Sequence, residues 1–131
     1  MFNSTKVRAS LAALAISVLA LSGAAGASAA GKAQSKVSIK GNDGDYYGYV
    51  KSDENEGYCA NAREVKVFKQ LGSSQDPKND LKIGTDTAQA DGGSGRYLWE
   101  IGNSGYKHGE FYAKVGKTDY CKGATSKTIS R

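Results

Sequence analysis

The most reactive side chains in this sequence belong to Cys59, Cys121 and the single histidine, His108. A cysteine or serine nucleophile paired with a histidine could drive acyl transfer, provided a third group orients the imidazole. His108 lies between Lys107 and Gly109 in a turn, and nothing in its spacing selects one serine or cysteine as partner. It reads as an exposed loop residue. Thirteen scattered acids likewise offer no assignable carboxylate pair for glycoside cleavage. No catalytic residue is assigned, and the chain is expected not to be an enzyme.

The two cysteines read best as a disulfide, Cys59–Cys121, with intermolecular pairing or two free thiols as the alternatives. The bridge would close a loop of roughly 60 residues and contribute on the order of 4 kcal/mol by the chain-entropy argument. Tyr58 and Tyr120 each precede a cysteine, so two rings should flank it. Oxygen ligands cluster in two places: Asn42, Asp43 and Asp45, and Asp53, Glu54, Asn55 and Glu56. Calcium takes six to eight oxygens, but neither loop has a twelve-residue calcium spacing, and Asp and Asn are ordinary turn residues. With one histidine and paired thiols, zinc is less favoured still. No metal and no cofactor are expected.

Aromatic side chains carry the remaining binding chemistry. Strand alternation with Tyr46 and Val50 inward turns Tyr47 and Tyr49 outward. The same rule turns Phe68 away from Val65 and Val67, and Tyr112 away from Phe111 and Ala113. Tyr47, Tyr49, Phe68 and Tyr112 are therefore the candidate binding surface, a row of rings among lysines suited to sugars or a protein partner. The same rings could instead pair across strands and stiffen the sheet, or Phe68 and Tyr112 could line one end of the core. Trp99 with Tyr97 reads as core.

The elements that position these residues have period two. Seven short strands are expected: Val37–Ile39, Tyr46–Val50, Val65–Val67, Leu81–Ile83, Tyr97–Ile101, Phe111–Val115 and Thr125–Ser130. Gly- and Asn-rich turns separate them, and the loop 71–80 carries the only proline, Pro77. The pattern predicts an all-β domain, a seven-stranded antiparallel β-sandwich over residues 36–131, preceded by a flexible segment over 30–35.

Residues 1–29 read as a signal peptide. Lys6 and Arg8 precede an apolar run from Leu11 to Leu21, and Ala27-Ser28-Ala29 has the small-x-small form of a cleavage site. The run is short for a membrane span, which needs roughly 20 apolar residues. Loss of Lys6 and Arg8 would lower the net charge of +5 by two. The remaining charge is dispersed, so nucleic-acid binding and a membrane anchor are not expected. A secreted, extracellular protein is expected.

The stretch Tyr46-x-Gly48-x-Val50-x-Ser52, then Cys59, then Arg63-x-Val65-x-Val67-Phe68 opens a recognisable pattern. Gly84-x-x-Thr87, Asp91-Gly92-Gly93, Gly109-x-Phe111-Tyr112-Ala113-x-Val115 and Cys121-x-x-Ala124-x-Ser126 complete it. Over residues 36–130 this resembles small secreted prealbumin-like (transthyretin or carboxypeptidase-regulatory-like) β-sandwich domains, with an Ig-like layering. The resemblance implies a secreted accessory domain and carries over no ligand-binding or catalytic residue. The functional expectation is an accessory or interaction module whose partner is a cell-envelope polysaccharide or another exported protein. The alternative is an inhibitor of an extracellular hydrolase acting through the loop 71–80.

Overall fold

The computed structural model describes residues 32–53, 57–93 and 95–131. The expected leader, and the acidic residues 54–56, lie outside the described residues. Among the described residues no helix is long and apolar enough to cross a membrane. The fold is all-β and sandwich-like, with two antiparallel sheets and one disulfide.

The strands are β1 (Ser35–Val37), β2 (Lys40–Asn42), β3 (Asp45–Ser52), β4 (Glu64–Gln70), β5 (Leu81–Thr87), β6 (Gln89–Ala90), β7 (Tyr97–Ile101), β8 (Glu110–Val115), β9 (Ala124–Thr125) and β10 (Ile129–Ser130). The first sheet has the order β1-β3-β7-β6, with β2 also on β3. The second has the order β10-β8-β4-β5, with β9 also on β8.

Ten strands replace the seven expected, and side chains explain two of the extra breaks. The first expected strand divides at Ser38, whose Oγ accepts the Tyr49 N–H at 2.9 Å while its own N–H reaches the Tyr49 carbonyl. The last divides at Ser126, whose Oγ accepts the Ala113 N–H at 2.8 Å. Beyond it the register to β8 slips by one residue, from Thr125↔Lys114 to Ile129↔Phe111. The third addition, β6, continues β5 past Ala88. There the chain leaves the second sheet and pairs with Tyr97 and Leu98 of the first. The segment expected to be flexible is also tied down: Ala33 forms a parallel bridge to Cys121, and Ser35 is buried within β1.

Alternation places Tyr46, Val50, Val65, Val67, Trp99, Phe111 and Val115 between the sheets, each at most 1% exposed. Tyr46 and Phe111 meet across the layer with ring centroids 4.6 Å apart. Gly48 is dictated by a close approach: a Cβ there would lie 2.0 Å from the Ser38 carbonyl oxygen. The β2–β3 hairpin turns at Asp43-Gly44, both at positive φ (51° and 93°), as a two-residue Asp-Gly turn requires.

One end is closed by two staples. Cys59 and Cys121 are bonded and both buried. Beside them Arg63, only 5% exposed, donates from Nη1 to Ser35 Oγ (2.9 Å) and the Cys59 carbonyl (2.8 Å). Its Nη2 donates to the carbonyls of Gly116 (2.5 Å) and Lys122 (3.2 Å). Burial lowers the Arg63 pKa from its ordinary value. Removing the guanidinium takes the donor from the Gly116 and Lys122 carbonyls, at about 1–3 kcal/mol each where water cannot enter, while the Cys59 carbonyl keeps the Ser35 hydroxyl at 3.0 Å. Arg63→Met should therefore cost about 3 kcal/mol or more in urea unfolding. Arg63→Lys should recover less than half of that, because an ammonium lacks the planar fork.

Candidate functional site

The four rings of the candidate surface separate into two environments. Tyr47 is 41% exposed on the outer face of the first sheet, flanked across the strands by Lys40 and Glu100. Tyr49 points the same way but is half-buried, with the Arg96 guanidinium 4.3 Å from its ring centroid. Phe68 and Tyr112 correct the expectation: both are buried, at 6% and 0% exposure. They do point away from the main core. They are register partners on β4 and β8 and stack at 5.4 Å with an 18° tilt. The loop 71–80 folds back over them, and the Tyr112 hydroxyl donates to Asp80 Oδ2 at 2.6 Å. The rings form a second small core instead of a binding surface.

That loop is built around Asp80. Its Oδ1 accepts the Leu71 N–H (2.9 Å) and its Oδ2 the Asp76 N–H (2.7 Å), while Asp76 in turn accepts from Asn79. Gln75 anchors the far side on the Ser126 carbonyl and Thr128 Oγ1, both at 2.9 Å. Leu71 remains 63% exposed at the loop's start.

The open surface with convergent polar groups lies beside Tyr47. A groove of about 720 Å³ runs along β7, lined among others by Asn42, Tyr47, Asp86, Gln89, Leu98 and Glu100. It exists because β6 pairs only with the first two residues of β7, leaving the edge open at Glu100. Asp86 of β5 fills part of the gap, accepting the Glu100 N–H at 2.7 Å with one carboxylate oxygen. Glu100 is exposed, at the position directly opposite Tyr47. The lining thus offers carboxylate and amide groups around the exposed Tyr47 ring. Alternation from Trp99 alone puts Glu100 outside. Asp86 and Gln89 were not legible as its neighbours, because the crossing at Ala88 brings them there.

The other sequence candidates have structural roles. Asp43 pairs with Lys107 at 3.1 Å, and Asp45 Oδ1 accepts the Asn103 N–H. Among the described residues no group of three or more potential metal ligands is gathered. His108 is exposed. Tyr58 and Tyr120 are exposed on either side of the disulfide. Comparison of the chain with family models, curated proteins and solved structures finds no match.

The Tyr112–Asp80 bond ties loop stability to pH. The hydrogen bond from Tyr112 and the backbone donors hold the Asp80 carboxyl below its ordinary 3.8, and burial together with Asp80 pushes the Tyr112 phenol above its ordinary 10.0. The Asp80 contribution is full above pH 3.8 and is lost as pH falls through its lowered pKa. The Tyr112 contribution is full below pH 10.0 and declines as pH rises towards its raised pKa. Tyr112→Phe should be less stable than the parent at pH 7. In urea titrations across pH, the difference should shrink in both the acid and the alkaline limbs.

Proposed function

We propose that this protein is a secreted, non-catalytic accessory module that binds a cell-surface polysaccharide through the groove beside Tyr47. The observation that carries this reading is the exposed Tyr47 ring set against Glu100, Asp86, Gln89 and Asn42 in one open groove. An aromatic face stacks on the C–H side of a sugar ring, and carboxylates and amides take its hydroxyls. Because Asp86 and Glu100 line this groove, a neutral or amine-bearing polymer is favoured over an anionic one. The Cys59–Cys121 bridge supports an oxidising compartment outside the cytosol. The two antiparallel sheets support the prealbumin-like reading, with function in surface residues grafted on the scaffold.

The test is retention of the oxidised protein on insoluble neutral, amine-bearing and anionic polysaccharides. Tyr47→Ala and Glu100→Ala should each weaken retention by about tenfold, roughly 1.4 kcal/mol. Tyr120→Ala, at the disulfide end, should leave it unchanged. Equal retention of all variants, or none on any neutral or amine-bearing polymer, would rule the groove out.

A second reading, a hydrolase inhibitor acting through the loop 71–80, is favoured by one observation. The Asp80 network holds that loop in one shape while Leu71 stays exposed, and preorganisation lowers the cost of binding. It predicts that Leu71→Ala relieves inhibition in a panel of extracellular hydrolases. A panel showing no inhibition by the parent protein would dismiss it.

A further inference from the structure

The outer face of the first sheet continues past Tyr47, and its charge changes sign along the way. Tyr47, Tyr49 and Lys51 follow one another on the same face of β3, about 7 Å apart at each step. The groove at Tyr47 is lined by the carboxylates of Asp86 and Glu100. At Tyr49 there is a second, smaller pocket of about 340 Å³, lined by Lys36, Val37, Ser38, Tyr49, Lys51 and Arg96. Three of these six residues are cationic, and among the described residues no acid lines the pocket.

The sheet itself brings these cations together. Lys36 of β1 and Lys51 of β3 are register partners, so their side chains leave the same face side by side. Both are exposed, and among the described residues neither is in an ion pair. Like charges directly opposite one another destabilise a ladder, and no group lining the pocket offsets this pair. Asp53, the next residue on this face, is exposed and forms no ion pair with either lysine. The Arg96 guanidinium lies 4.3 Å from the Tyr49 ring centroid, and its Nη2 stands 3.7 Å from Asp91 Oδ2. With Arg96 over it, Tyr49 presents a cation where Tyr47 presents an open ring.

We propose that the pocket at Tyr49 is a second subsite, which takes a sugar unit bearing an anionic group, a carboxylate or a phosphate ester. The inference rests on the reading of the Tyr47 groove as a polysaccharide site and extends it. A polymer lying along β3 places a neutral or amine-bearing unit on Tyr47 and an anionic unit against Lys36, Lys51 and Arg96. The anion relieves the repulsion between the two lysines and forms charge-assisted hydrogen bonds with them. The polymer that fits is therefore one of mixed units. A uniformly anionic chain meets Asp86 and Glu100 at the Tyr47 end, and a uniformly neutral chain leaves the three cations unused.

The test measures, by titration calorimetry, the affinity of the oxidised protein for soluble oligosaccharides of one length and linkage. One is neutral, one carries an anionic group on alternate units, and one carries it on every unit. The two anionic ligands are made once with carboxylates and once with phosphate esters, and the tighter form names the anion. The alternating ligand should bind at least tenfold more tightly than the neutral and the uniformly anionic ones, and high salt should remove most of that advantage. The double variant Lys36→Gln with Lys51→Gln should keep its circular dichroism spectrum and the parent's affinity for the neutral ligand. It should bind the alternating ligand no better than the neutral one. Equal affinity of the parent for the neutral and alternating ligands overturns the proposal and leaves the Tyr47 groove standing. A preference for the alternating ligand that survives in the double variant overturns it as well, as does tightest binding of the uniformly anionic ligand. Binding of no ligand, the neutral one included, overturns the groove reading and this subsite with it.

Discussion

The buried guanidinium of Arg63 is the point on which the arrangement of the two sheets depends. Its donors reach oxygens in four separate stretches of chain: β1, the turn before β4, the loop after β8 and the approach to β9. A buried cation is costly unless its donors are satisfied, so these stretches must converge wherever the arginine is placed. The Cys59–Cys121 bond adds a covalent constraint at the same place. Immediately before Arg63 the backbone is in the left-handed region at Ala62 (φ 61°), and the Ala62 N–H bonds to the Ala88 carbonyl. The same end therefore also fixes the residue at which β5 leaves one sheet and β6 joins the other.

That closure has consequences at both edges of the first sheet. On one side the crossover at Ala88 delivers only two residues of pairing to β7, which leaves the opening that Asp86 and Gln89 line. On the other side the edges are bridged at Ala33 and Cys121, β1 continues close beside β9, and an apolar cleft borders them. One edge is lined by carboxylates and the other by ammonium and guanidinium groups. A chain of modest net charge thus presents two surfaces of opposite character, which net charge alone hides. The loop 71–80 adds a third distinct feature, a segment organised around the Asp80 carboxylate and anchored at its far side by Gln75.

Much of the strand pattern was legible in the sequence because alternation reports directly on which residues share a face. Tyr46, Val50, Val65, Val67, Trp99, Phe111 and Val115 lie inside as their spacing requires, and the Asp43-Gly44 turn follows from local chemistry. Cys59 and Cys121 left a single intramolecular pairing, and it is the one formed. The strand breaks were not legible, because Ser38 and Ser126 interrupt the ladders with hydrogen bonds to partners 11 and 13 residues away. Arg63 also gave no sign of its role, since its acceptors are mainly backbone carbonyls, which no side-chain pattern encodes.

Phe68 and Tyr112 divide what each level decides. The sequence by itself determined that both rings point away from the main core, because backbone geometry sends successive side chains to opposite faces. It likewise determined that Tyr47 and Glu100 lie on the outer side of the first sheet. Only the tertiary structure decided that Phe68 and Tyr112 are covered while Tyr47 remains open. The loop 71–80 returns over the first pair through Asp80, whereas Tyr47 on the outer face of β3 stays 41% exposed. A strand's own residues set the direction of a side chain, but its exposure depends on chain segments that arrive from elsewhere in the fold.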